Sequence, residues 1–114
     1  MHVHYLEIVT DDVDATCALF AAVHGTAFGD PDPTLGGART ASVPGGGTVG
    51  VRAPMHDAEQ TVTRPYVLVE NIEAAVTAAE QAGASILVPP MEIPGHGQCA
   101  IYVQGNVEAG LWQV

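Results

Sequence analysis

The chain repeats itself. The run from Asp12 reads DVDATCALFAAVHG, and the run from Asn71 reads NIEAAVTAAEQAG. Asp12-Val13-Asp14-Ala15 matches Asn71-Ile72-Glu73-Ala74 in residue type, 59 positions apart (71 − 12). A short β-branched and aromatic run precedes each, Tyr5–Val9 and Tyr66–Val69, and reads as a strand. Helical spacing follows each. Val13, Thr16, Cys17, Phe20 and Val23 fall on one face of the first helix, and Ile72, Ala75, Val76, Ala79 and Ala82 on one face of the second. Asp11 or Asp12 and Asn71 are the expected N-caps, with Gly25 and Gly83 as the stops.

The pairing continues downstream. Thr26-Ala27-Phe28 pairs with Ala84–Val88, and a proline-rich loop follows each. ARTASV from Ala38 pairs with QCAIYV from Gln98, and TVGVRA from Thr48 with EAGLWQ from Glu108, each after a glycine turn. The expected architecture is α+β: two tandem βαβββ modules with curved mixed sheets. Module one covers residues 1–53, a linker 54–63, and module two 64–114. A four-stranded sheet with one helix covers only one of its faces. The other faces are therefore expected to curl around a small-molecule cavity.

Composition narrows the function. With 47% hydrophobic residues the chain can bury a core. Its net charge is -10, from three arginines, no lysine and thirteen acids. Such a surface repels phosphate backbones, which excludes nucleic acid as a partner. No apolar run has membrane-span length, and the N-terminal MHVHYLEIV has no basic region ahead of its apolar stretch, so a cytoplasmic location is expected. Cys17 and Cys99 are too few for a disulfide framework and read as buried thiols.

Taken in order, the strand–DDVDAT–helix–Gly and strand–ENIEAA–helix–Gly units, then PPMEIPGHGQCAIYVQGNVEAGLWQ, resemble the vicinal oxygen chelate superfamily. That group includes glyoxalase I, bleomycin-resistance proteins and extradiol dioxygenases. The resemblance spans essentially the whole chain and implies a homodimer. One departure is the turn before the last strand, where Val103-Gln104-Gly105-Asn106 lacks the family's Asp-Pro pair.

Metal-dependent members of such a family hold an ion with His and Glu from the module strands. Here the first-strand ligand position falls on Tyr5, and its counterpart 59 residues on (64 − 5) is Arg64. Arginine stays protonated and does not ligate. Thr48–Ala53 offers no acid or histidine, and the last strand offers only Glu108. His2 and His4 form an HxH pair, the main alternative for a metal together with Glu7. The reading is that no metal and no cofactor is held.

Alternation along the strands puts Tyr5, Glu7 and Val9 on the cavity face, with Arg64, Tyr66 and Leu68 in module two. Gly50 and Arg52 correspond to Gly110 and Trp112. The expected ligand-binding residues are Tyr5, Glu7, Arg52, Tyr66, His96 and Trp112. Arg52 suits a carboxylate or enolate oxygen. Glu7 is either its ion-pair partner or a general base. His96 lies on a glycine-flanked loop, and Trp112 is a stacking wall or core. The expected function is metal-free small-molecule binding, in the manner of bleomycin-resistance proteins, with a cationic planar ligand suiting the acidic surface. The alternative is a glyoxalase-like lyase, isomerase or dioxygenase, using a divalent metal or Glu7 as base.

Overall fold

The computed structural model describes residues 1–114. Seven strands and two helices follow in order: β1 Val3–Val9, α1 Val13–His24, a 3-10 turn Pro33–Leu35, β2 Arg39–Ser42, β3 Thr48–Arg52, β4 Val62–Leu68, α2 Ile72–Gln81, β5 Ser85–Ile93, β6 Gly97–Gln104 and β7 Val107–Gln113. Parallel and antiparallel pairs are mixed, giving the expected α+β class. No helix is long and apolar enough to cross a membrane.

The chain divides into two compact units. One is Tyr5–Thr63, and the other is Met1–His4 with Arg64–Val114. The first four residues join the second unit through a backbone bond in which Leu68 N donates to His2 O at 2.8 Å.

In the unit Tyr5–Thr63, β3 lies between β1, which it pairs in parallel, and β2, which it pairs antiparallel. Asp12 caps α1, its side chain accepting from Ala15 N, and Gly25 ends the helix with φ 68°. A left-handed φ carries no Cβ penalty in glycine, which is why the helix stops there. Ile8, Cys17, Ala41, Val49 and Val51 form the core, with Leu6, Val13, Phe20 and Phe28 packed on it. Val23, expected on this apolar face, is 63% exposed: the sheet meets the helix only over its earlier turns.

This unit lacks one expected strand. Thr26-Ala27-Phe28 forms none. What remains is a sparse edge on β2: Gly29 N donates to Thr40 O at 2.9 Å, and Asp32 N to Ala38 O at 2.8 Å. Pro31 and Pro33 have no N–H to give, and Asp32 instead caps the 3-10 turn through Thr34 N. Proline spacing thus reduces a ladder to two isolated bonds.

The second unit completes the pattern, with strand order β4-β7-β6-β5. Asn71 caps α2, accepting from Ala74 N at 3.0 Å, and Ile72 N donates to Gln113 Oε1 at 2.8 Å. Ile72, Val76, Ala100 and Leu111 form its core. Ala82, expected on the buried face, is the exposed C-cap residue instead. The PPMEI stretch, read from sequence as loop, is strand: β5 runs on through Pro89 and Pro90 to Ile93. It can do so because β5 is an edge strand, where proline's missing donor is tolerated, and its register to β6 shifts between Val88 and Met91.

Candidate functional site

The parallel register of β1 and β3 sets Glu7 opposite Gly50 and Val9 opposite Arg52. Leu6, Ile8, Val49 and Val51 face the helix-side core. Strand alternation therefore sends Tyr5, Glu7, Gly50 and Arg52 to the other face. Polar groups here are nearly excluded from water: Tyr5 is 5%, Glu7 8% and Arg52 4% exposed. Gly50 makes the cluster possible, since a Cβ built there would collide with the Tyr5 hydroxyl.

Arg52 is the hub. Its Nε donates to Glu7 Oε2 at 3.0 Å. Its Nη1 and Nη2 donate to Glu59 Oε1 and Oε2 at 2.8 and 2.7 Å, a two-pronged contact. Nη1 also reaches Ala53 O at 3.2 Å, and Met55 N donates to Glu59 Oε1 at 2.7 Å. The hydrogen bonds from Arg52 hold the Glu59 carboxyl down at about 2. Burial pushes the Tyr5 phenol well above its usual value, and Glu7 adds to the effect. Two carboxylates on one guanidinium leave the cluster one negative charge in excess.

Glu59 and its surroundings are absent from the residues expected on sequence grounds. A groove of about 790 Å³ runs along the segment after β3, lined by Asp11, Pro54, Met55, His56, Asp57 and Glu59 among others. The sequence holds one faint signal for it. A buried arginine in a chain of thirteen acids must find carboxylates. Which acids it finds depends on how an irregular segment folds back, and no periodicity encodes that.

The remaining expected residues meet in the other unit. Tyr66 lies opposite Gly110, the place that Glu7 holds opposite Gly50. A Cβ on Gly110 would enter the Tyr66 ring. Tyr66 and Trp112 meet edge to face, with ring centroids 5.6 Å apart. His96 engages Trp112 through its backbone: the indole Nε1 donates to His96 O at 2.9 Å. The His4 ring lies 5.5 Å from the indole. Burial draws the His4 pKa down, and the charges of His2 and His96 draw it down further. Arg64 donates to Glu108 Oε1 from Nε at 2.8 Å. Each unit thus sets a different trio on the same lattice: Tyr5, Glu7 and Arg52 in one, Arg64, Tyr66 and Trp112 in the other.

The residues present do not fit a metal ion. No three His, Cys, Asp or Glu side chains are placed to hold one. The acids nearest the expected positions are committed elsewhere, Glu7 and Glu59 to Arg52 and Glu108 to Arg64. Arg39 pairs at the surface with Asp14 at 3.0 Å, and Cys17 and Cys99 are buried and not joined in a disulfide.

No family model matches the chain, and no curated protein matches it. Solved structures do. A hypothetical protein from Bacillus halodurans C-125 superposes with a TM-score of 0.78 at 12% identity, over 99% of this chain and 94% of its own. Methylmalonyl-CoA epimerase from Mycobacterium tuberculosis gives 0.71 at 15% identity, over 96% and 85%. The Streptomyces coelicolor methylmalonyl-CoA epimerase in complex with 2-nitronate-propionyl-CoA gives 0.70 at 15% identity, over 99% and 96%. At such identities the likeness is one of architecture: the chain has a small α+β fold of the glyoxalase, or vicinal oxygen chelate, kind.

Proposed function

We propose that this chain is a small-molecule-binding protein of the glyoxalase and bleomycin-resistance kind, working without a metal ion, with its ligand's polar group held at Tyr5, Glu7 and Arg52. The observation that carries this reading is the burial of all three on the face of β1 and β3 turned from the helix-side core. Burying an ion pair adds little stability over apolar residues of the same volume. A charged cluster in that position is better accounted for by recognition than by folding. Tyr66, His96 and Trp112 are proposed as an aromatic contact surface of the second unit.

The test combines metal analysis with a thermal-shift screen of small molecules against the purified protein. At least one compound should raise the melting temperature of the wild type and not of Arg52→Met. Stoichiometric zinc, nickel, manganese or iron, or no compound with that dependence, overturns the reading.

Likeness to methylmalonyl-CoA epimerases brings a second reading, proton abstraction beside a carbonyl with Glu7 as base. Glu7 Oε2 already accepts a hydrogen bond from Arg52 Nε, which makes it less available to take a substrate proton. Incubation with methylmalonyl-CoA in D₂O, followed by NMR, distinguishes the two readings: exchange that Glu7→Gln abolishes favours the enzyme. We also propose a homodimer in the cytoplasm. The exposed Leu19 and Val23 on α1 support an association surface, and sedimentation at several concentrations tests it.

A further inference from the structure

Of the two carboxylates on Arg52, one is fixed and one is on a loose support. Glu7 belongs to β1, locked into a parallel ladder with β3. Glu59 belongs to the irregular segment 53–61, which has no helix or strand. Little else ties that segment to the fold. Met55 is 64% exposed, and the backbone bond recorded within it runs from Glu59 N to His56 O at 3.1 Å. The Glu59 carboxylate, gripping Arg52 and receiving Met55 N, is its principal anchor.

We propose that the outer edge of Arg52 is a carboxylate-recognition position, that Glu59 fills it as a resident stand-in, and that a ligand carboxylate takes the same two nitrogens when the segment yields. This names a ligand class for the site proposed above and rests on that reading. The geometry is that of a guanidinium reading a carboxylate: two parallel N–H···O bonds on Nη1 and Nη2, with Nε turned to Glu7. Glu7 pre-orients the fork, so a ligand would meet it already aimed.

The groove bounds the rest of the ligand. Its volume of about 790 Å³ adjoins Glu59 and has room for a body larger than the carboxylate itself. Asp11 and Asp57 line the same groove and disfavour a second negative charge. The fitting class is a monocarboxylate whose remainder is neutral or cationic, an amino-acid-like molecule included. Dicarboxylates and phosphate-bearing thioesters fit poorly. A tethered carboxylate competes at an effective concentration on the order of millimolar or above. A simple anion therefore does not displace Glu59 from the wild type, and a ligand must add contacts in the groove.

Chemical rescue tests this with acetate as the probe. Glu59→Ala removes the stand-in and should melt below the wild type. Sodium acetate at about 100 mM should raise its melting temperature by about 3 °C over sodium chloride of equal ionic strength. The wild type and the Glu59→Ala/Arg52→Met double variant should show no such difference. If Glu59→Ala does not fold, Glu59→Ser, which also empties the position, is compared in the same way in a stabilising osmolyte. Equal acetate effects on all variants, or none on the Glu59 variants, overturn the proposal. A screening hit on the wild type with no acetate rescue removes this inference and leaves the small-molecule reading standing. Rescue without any screening hit leaves Arg52 able to take a free carboxylate but removes the small-molecule reading, and the ligand class that rests on it falls too.

Discussion

The Tyr5 hydroxyl occupies the space that a side chain at residue 50 would need. Glycine there is set by a neighbour and not by backbone conformation, since Gly50 is not among the glycines with positive φ. Gly50→Ala should therefore destabilise by about 1–3 kcal/mol through overpacking, read by urea denaturation. Tyr5→Leu in the same chain should recover part of that loss, because the two residues share one volume. Additive losses in the double variant would refute the steric account.

Acid should act through Glu59. Its carboxyl is held near 2, below an ordinary value of 4.5. With the folded value depressed, the stabilisation is complete above about 4.5 and is lost as pH falls towards 2. Thermal melts between these limits should show the wild type losing of order 2 kcal/mol more than Glu59→Gln. Parallel curves would show that the contact carries no proton linkage.

A second pH response belongs to His4. Its imidazole lies 5.5 Å from the indole of Trp112, the one tryptophan in the chain. Burial first, then His2 and His96, lowers its pKa. Protonated imidazole quenches a nearby indole, so fluorescence should fall on acidification with a midpoint below about 6.5, the usual histidine value. His4→Gln should remove that transition. The same depression makes folding less favourable as pH drops below about 6.5. A titration unchanged in His4→Gln would assign the response to another group.

Arg52 and Arg39 should differ sharply. Arg52→Met strands two largely buried carboxylates, Glu7 and Glu59, and should cost about 3–5 kcal/mol. Arg52→Met with Glu7→Gln and Glu59→Gln should restore much of it, since neutral amides tolerate that burial better. Arg39→Ala breaks a pair whose Asp14 side chain is 91% exposed, and should cost no more than about 1 kcal/mol. Equal costs in chemical denaturation would contradict this ranking.

Periodicity made part of this molecule legible beforehand. Helical spacing marks α1 and α2, and alternation separates Tyr5 and Glu7 from Leu6 and Ile8 on β1. Those signals are local, carried by side chains a few residues apart. The missing strand at Thr26–Phe28 contains no proline, whereas the added one at Pro89–Ile93 turns on it. Proline's effect depends on whether the strand beside it needs an N–H, which a single segment does not encode. Glu59 escaped for a related reason: its partner is seven positions back (59 − 52), across a stretch with no regular geometry. Helix ends failed more mildly, at Val23 and Ala82, where apolar spacing outlasts the surface it packs on.

The prolines of β5 have an effect of their own. This strand is outermost in its sheet, and Leu87 and Met91, on either side of the pair, are about half exposed. An open apolar margin of that kind invites a stray chain to add itself and begin a fibril. Pro89 and Pro90 supply no N–H at two successive positions, and the adjoining register slips there. A foreign strand would find the row of hydrogen bonds broken midway, so the same residues that interrupt the regular ladder guard the protein against cross-β stacking.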